Sequence, residues 1–500
     1  MNQSKISWRV NDRKMNYSKI YFTLILGVVL FMSSCKVGEK YTQPELPLPE
    51  EFTQEVLTKQ LDSIPYASIS WEDFFHDTTL IALIDSALKN NHDMQVALKN
   101  IDIAHRTLKQ NRLEYLPSID GNVASAHQQY RSENYYSNPS SNWYDQKGTT
   151  PPNSMYLQQS QFSSGLDFSW ELDIWGKIAN QKDELTAEFL NTQNIKNGIQ
   201  TRLIADIAKG YFNLMMLDAQ IEVAKRNVQL SDSTLHMVKL QFEAGEITAL
   251  AVEQTESQRL DAASLVPELE KEIAVQENAL RVLTGELDQD IRRSDYNQKL
   301  LSNEQAINLG APIDIVRNRP DIRGAEFTLI AANARMNIKQ SLRYPTLTLG
   351  GAFGVNSMLP KNWFEIPGSL FGNITGGLTA PIFQKGRLKA AYDVAKLERE
   401  KAEIELQKSV LQAVAEVSNA VVAVDKIDEQ LDFAKKKVEN SRSAVNSALM
   451  LFRSGYATYL EVITAQSNAL KNELALVDAQ QKQLYAYVSL YKALGGGWQK

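Results

Sequence analysis

The chain has 500 residues, with 53 basic against 59 acidic side chains, a formal charge of −6, and 43% hydrophobic residues. That apolar content excludes wholesale disorder, and the mildly acidic balance offers no concentrated basic field, so no nucleic-acid partner is expected. One cysteine excludes an intramolecular disulfide and any thiolate metal cluster.

Residues 21–32 read YFTLILGVVLFM, preceded by Lys14 and Lys19 and followed by Ser33-Ser34-Cys35. The run is too short to span a bilayer and suits the apolar region of an export signal. Small residues before Cys35 predict a lipoprotein signal peptide over 1–34, with Cys35 the diacylated first residue of the mature chain. Met32 stands where Leu is usual, and Met15 offers an alternative start. A free, buried cysteine is the other reading. Acyl chains anchor by burying methylene groups, about 0.8 kcal/mol each. No later run reaches 18 apolar residues, so no second helical span is expected.

After an N-terminal periplasmic segment, 35–75, the chain repeats itself at an offset of about 210 residues. Phe242-x-x-Gly245-x-x-x-x-Leu250 returns as Phe452-x-x-Gly455-x-x-x-x-Leu460, and Trp175-Gly176-Lys177-Ile178 aligns with Lys385-Gly386-Arg387-Leu388. Leu116-Pro117-Ser118-Ile119 matches Tyr344-Pro345-Thr346-Leu347 at a longer offset, and the polar, turn-rich stretch 131–159 supplies the insertion. The expected organisation is a first repeat over 76–285, a linker over 286–314, a second repeat over 315–495 and a tail over 496–500.

Within each repeat two strands precede two long helices. Phe162, Leu166, Phe168 and Trp170 alternate with small or polar residues, predicting a strand over 162–170. Weaker alternation predicts strands over 118–127, 345–354 and 372–380. Residues 387–454 hold neither Gly nor Pro, and 177–244 hold only Gly198 and Gly210. Each run predicts a helix approaching 100 Å at about 1.5 Å per residue. Helical patterns resume over 246–284, where Pro267 predicts a kink, and over 456–494. Stripes such as Leu265, Leu269, Ile273 and Leu280, or Leu470, Leu474, Val477 and Leu484, demand lateral packing. Coiled-coil pairing and a wall of helices around a channel both satisfy that demand. An apolar face opposite a small polar one suits a membrane β-barrel. Four strands cannot close a useful barrel, so membrane embedding predicts several chains sharing one.

Several ordered runs resemble a known family. They are Cys35-Lys36-Val37-Gly38-Glu39-Lys40-Tyr41-Thr42-Gln43-Pro44, Trp71-Glu72-Asp73-Phe74-Phe75, and Ser169-Trp170-Glu171-Leu172-Asp173-Ile174-Trp175-Gly176-Lys177. Arg319-Pro320-Asp321-Ile322-Arg323, Pro381-Ile382-Phe383 with Gly386-Arg387, and Tyr491 through Trp498 complete the set. The chain resembles TolC-like outer-membrane efflux proteins, specifically the lipoprotein branch of resistance-nodulation-division (RND) tripartite systems (NodT/OprM-like). The resemblance implies an internally duplicated α+β membrane protein. It would be a homotrimer with a twelve-stranded outer-membrane β-barrel, four strands per chain, continued by a long periplasmic α-helical barrel.

The implied function is a passive exit duct for small molecules such as drugs. The implied partners are a periplasmic membrane-fusion adaptor, an inner-membrane RND transporter and outer-membrane lipid. The implied place is the outer membrane, lipid-anchored and extending into the periplasm. Alternatives are a duct for type I protein secretion or for heavy-metal cation efflux and, outside transport, a periplasmic coiled-coil scaffold lipoprotein. No enzyme and no cofactor are expected: GxGxxG, Walker A, HExxH and GxSxG are absent, and all five histidines lie in the first half without ligand spacing.

The family also assigns roles to residues. Gly245 and Gly455 let the chain reverse between helices, since glycine tolerates positive φ. In the family these turns form the periplasmic tip, which makes Phe242, Gly245, Leu250, Phe452, Gly455 and Leu460 candidates for adaptor docking; a purely structural cap is the other reading. Glu461 is a candidate for lining an acidic aperture, or is a solvated helix-surface residue; Thr464 stands where a second acid is expected. Arg453 and Tyr456 are candidates for latching a closed tip. Trp170, Glu171, Asp173, Trp175 and Gly176 mark a strand-to-helix junction, with tryptophan suited to a membrane boundary and Asp173 to a helix cap. Arg319, Asp321, Arg323 and Glu326 are expected to form structural ion pairs.

Overall fold

A computed structural model describes residues 36–46, 69–130, 158–288, 290–294 and 318–498. The expected export signal with Cys35, the stretch 131–157 and most of the expected linker 286–314 lie outside the described residues.

Three helices open the described chain: α1 (Trp71–Phe74), α2 (Thr78–Asn90) and α3 (His92–Asn111). Two strands follow, β1 (Ser118–Tyr130) and β2 (Gln158–Leu172), then two long helices, α4 (Lys177–Glu243) and α5 (Ala249–Thr284). The second half repeats the order: α6 (Pro320–Ser341), β3 (Thr346–Ser357), β4 (Leu370–Thr379), α7 (Arg387–Arg453) and α8 (Tyr459–Ala493). The helices α4 and α7 have 67 residues each. α5 continues through the exposed Pro267 rather than ending there.

The strands form one antiparallel sheet in the order β1-β2-β3-β4. Its register stacks Ile119, Phe168, Gly351 and Ile374 on one rung, and Leu172, Leu347 and Leu378 on another. Alternate rungs carry Asp120, Asp167, Ala352 and Asn373, or Ser118, Ser169, Gly350 and Thr375. A two-residue period therefore gives the sheet one apolar and one small polar face. The apolar face is uncovered: Ile374 is 85% exposed, and Ile119, Leu166, Phe353 and Leu378 are exposed as well.

This sheet corrects the expected fold class. The chain forms an open four-stranded sheet, with β1 and β4 as its edges, and neither the twelve-stranded barrel nor the helical barrel continuing it. The reason is local: each strand finds its partner in the next one along the chain, and four strands are too few to curl back and close. No helix among the described residues is long and apolar enough to cross a membrane.

The chain divides into two units. The first comprises 1–41, 107–185 and 331–399, and contains the sheet with the helix ends beside it. There Arg335 pairs with Glu184 at 2.7 Å, Lys36 pairs with Asp183, and the amides of Asn333 and Asn337 donate to the Glu39 carbonyl. The second comprises 42–106, 186–330 and 400–500, and is helical. Its core gathers Phe74, Phe75, Leu80, Ile84, Tyr211 and Phe212, all fully buried, with Phe74 stacked on Tyr491 at 4.3 Å. At Gly210 an added Cβ would stand 2.8 Å from Leu280, so glycine sets the close approach of α4 and α5. The Leu265, Leu269, Ile273 stripe packs on Leu217, Ile221 and Ala224 of α4.

Candidate functional site

The two helical turns share one backbone design. Gly245, with φ of 77°, donates its N–H to Phe242 O at 2.9 Å, and Glu246 donates to Gln241 O at 2.9 Å. Gly455, with φ of 75°, donates to Phe452 O at 3.1 Å, and Tyr456 donates to Leu451 O at 2.9 Å. Both are Schellman endings, in which a left-handed residue returns two N–H groups to the last helical carbonyls. An added Cβ at either glycine meets nothing within 4 Å, so the positive φ, not space, selects glycine. Thr248 and Thr458 then start α5 and α8 with φ of −89° each. The predicted one-residue breaks are thus five-residue turns, 244–248 and 454–458.

Beneath the turns Val238, Ala251, Phe452 and Val462 form one buried cluster, bringing all four long helices together. Met237, Ile247, Leu449 and Tyr459 pack around it, and the Tyr459 hydroxyl donates to Gln254 Oε1 at 2.7 Å. Deeper, Gln466 donates to the Thr234 hydroxyl at 2.7 Å. Phe242, Leu250, Leu460, Arg453 and Tyr456 are exposed, Tyr456 by 84%. Phe452, grouped with them from sequence, is a core residue at 4% exposure.

Glu461 accepts from the Thr458 N–H at 2.9 Å and from the Thr458 hydroxyl, closing a capping box at the start of α8. That hydroxyl, with the helix backbone, holds its carboxyl below the usual carboxylate range. Its observed partners are those of a helix cap.

At the strand-to-helix junction, Asp173 accepts from the Ile178 and Ala179 N–H groups at 3.0 and 2.9 Å, satisfying first-turn donors of α4. Glu171 pairs with Lys177 at 2.8 Å. The indole N–H of Trp170 donates to Tyr115 O at 3.0 Å, and that of Trp175 donates to Pro345 O at 2.6 Å. Gly176 has φ of 73°, and a Cβ there would stand 2.9 Å from Lys36 Cγ. Both indoles thus join neighbouring chain segments, a role that a boundary-tryptophan argument does not contain.

Arg319 lies in the second unit. It pairs with Asp321 and Glu416 at 2.7 Å each and donates to Ala493 O at 2.9 Å. Burial opposes its charge, but the two carboxylates hold its pKa above the ordinary value; Arg319 in turn draws Asp321 down against the opposing effect of burial.

Asp77 was not among the sequence candidates. Buried at 3% exposure, it accepts from the Thr79 and Leu80 N–H groups, from Tyr211 Oη at 2.8 Å and from Ser294 Oγ at 2.8 Å. Burial pushes the Tyr211 hydroxyl up to about 12. The signal for it was Asp77-Thr78-Thr79-Leu80, an N-cap before an apolar run. Among the described residues no group of three His, Cys, Asp or Glu is placed to hold a metal ion.

The sequence pattern of the family described as Outer membrane efflux protein matches residues 83–286 and 312–496, more than half of the chain. The chain belongs to that family. The Toluene efflux pump outer membrane protein TtgI of Pseudomonas putida is 28% identical over 480 residues, covering 95% of this chain and 98% of that protein. The Cation efflux system protein CusC of Escherichia coli O6:H1 is 25% identical over 475 residues, with the same coverage. The solved outer-membrane channel OprN superposes with a TM-score of 0.82 at 24% identity, over 93% of this chain and 100% of that one, and shows a shared fold. The protein is accordingly an outer-membrane efflux channel protein, and not an enzyme.

Proposed function

We propose that the chain is the exit duct of a tripartite pump, passively conducting small molecules delivered by an inner-membrane RND transporter through a periplasmic adaptor. The observation that carries this reading is the paired turns: two long hairpins end in the same glycine design over one shared apolar cluster. Such a rigid end displays Phe242, Leu250 and Leu460 to a partner, and these are the adaptor-docking residues in this reading. Copies assemble as a homotrimer, which the unpaired backbone edges of β1 and β4 favour. The apolar sheet face lies against outer-membrane lipid, and acyl chains on Cys35 add an anchor.

The test is conductance. Purified protein in a planar bilayer is expected to pass ions, and absence of conductance would overturn the duct. Palmitate labelling of the same preparation should vanish in C35S. Cells lacking the protein are expected to become several-fold more sensitive to toxic organic compounds. The name of the relative CusC favours a second reading, cation cargo. Sensitivity to metal salts alone would select it.

A further inference from the structure

The sheet has two ends. Helices α3 and α4 adjoin one, near Ser118 and Leu172, and the loop 358–369 joins β3 to β4 at the other. The loop reads MLPKNWFEIPGS, and Lys361 and Glu365 are its only charges. Strands that meet in water are usually joined by polar residues with a solvated backbone.

This loop is built the other way round. Pro360–Asn362 forms a single helical turn, and many of the backbone donors are satisfied close by. Asn362 donates to Leu359 O at 3.1 Å, Trp363 to Pro360 O at 3.3 Å and Ser369 to Glu365 O at 2.9 Å. Leu359 donates to Ser357 Oγ at 3.1 Å, and Leu370 to Pro367 O at 3.1 Å. Pro360 and Pro367 have no N–H to satisfy. The apolar side chains, in contrast, face outward. Met358, Phe364 and Ile366 are each about two-thirds exposed, and Leu359 is 51% exposed. Water rewards neither half of this arrangement. Hydrocarbon rewards both, since nothing in it can pair with a stray backbone group.

The loop also continues a surface already described. Strand parity puts Phe162 on the apolar face with Leu166, Phe168 and Trp170, and Phe162 stands opposite Ser357, the last residue of β3. The Trp363 ring lies 5.5 Å from that of Phe162 and stacks on Phe364 at 5.1 Å. The three rings thus extend the apolar face past its last rung. β4 has 10 residues, and a strand crosses a bilayer in about 9–11. With that face in lipid, the loop begins where hydrocarbon gives way to headgroups. Tryptophan is favoured at that level, and Lys361 and Glu365, both exposed, find charged headgroups there.

We infer that the loop 358–369 is an interfacial anchor, whose Met358, Leu359, Phe364 and Ile366 enter the acyl boundary of a phospholipid layer. Trp363 is the rigid floor that holds them in place. A protein partner could bond to the loop's backbone and would leave no reason for the loop to satisfy it internally. Lipid cannot. The inference rests on the reading that the sheet face meets lipid, and carries that contact beyond the strands.

The test is fluorescence quenching of the full-length protein in phosphatidylcholine vesicles whose acyl chains carry bromine. I366C takes an environment-sensitive dye on the loop, I374C takes it on the sheet face, and wild type treated alike gives the blank. Both dyes are expected to lose most of their emission in brominated vesicles and none in plain ones. Bromine near the headgroup end of the chain is expected to act more strongly on the loop dye than bromine near the methyl end. Quenching at 374 alone overturns the anchor and leaves the lipid-facing sheet intact. Quenching at neither position overturns both. Quenching at 366 alone overturns the sheet reading and the continuity on which the anchor is built. A dye at 366 shielded from bromine and from aqueous iodide alike means that protein covers the loop, and defeats the inference. L359C supplies the same measurement where I366C fails to assemble.

Discussion

The turn after α4 and the turn after α7 have the same backbone and different fates. Phe242 and Phe452 precede their glycines by three residues, yet Phe242 is 45% exposed whereas Phe452 is buried in the four-helix cluster. The first hairpin gives the cluster Val238 and Ala251, and the second gives it Phe452 and Val462. Had the hairpins met face to face, the equivalent residues would be buried alike. Their different burial shows that the two hairpins meet through non-equivalent residues, Phe452 and Val462 of one with Val238 and Ala251 of the other. Once such packing is set, equivalent positions are free to diverge. Glu243, Glu246, Ala249 and Ala251 of the first turn correspond to Arg453, Tyr456, Tyr459 and Glu461 of the second.

That contrast can be broken by substitution, and the largest effect is expected at Phe452. F452A removes a buried aromatic and should cost about 3–5 kcal/mol locally, whereas F242A should cost less than about 1 kcal/mol. Hydrogen exchange of the amides in 448–466 reads the difference. Equal losses would mean that the two turns are equivalent after all. Next come G245A and G455A, each forcing a side chain into the left-handed region at about 1–2 kcal/mol. Here the two turns should respond alike, because the requirement is backbone conformation in both. A much larger effect in one would reveal a contact to its glycine.

The smallest effect belongs to Glu461, which has no counterpart in the first turn because Ala251 stands there. Its folded carboxyl titrates below the ordinary range, so its cap is fully present above that range and is lost as pH falls through the lowered value. E461Q should flatten the acid-side loss of protection at 458–462 and leave 248–252 unchanged. Identical pH profiles for wild type and E461Q would remove the cap from the account.

Much of this was readable from residues. Long runs with few or no Gly and Pro marked the helices, and the alternation of 162–170 lies within β2, because half-buried strands sort side chains by parity. The αL glycines were readable since few residues accept their φ. Three things were not. Which phenylalanine is buried depends on how one hairpin meets the other, and both phenylalanines sit in the same local pattern. The partners of Asp77 lie 134 and 217 residues away, beyond any local period. The expected barrel was a twelve-stranded one shared by three chains, whereas the structure holds an open sheet of four strands.

The bond from Trp175 to Pro345 joins residues 170 positions apart in the same molecule. Because the repeats are fused, that contact forms without an encounter between molecules, at an effective concentration in roughly the millimolar range. A lone repeat would have to find another copy for every such contact and would come apart on dilution. Duplication has thus made this contact independent of how much protein the cell makes.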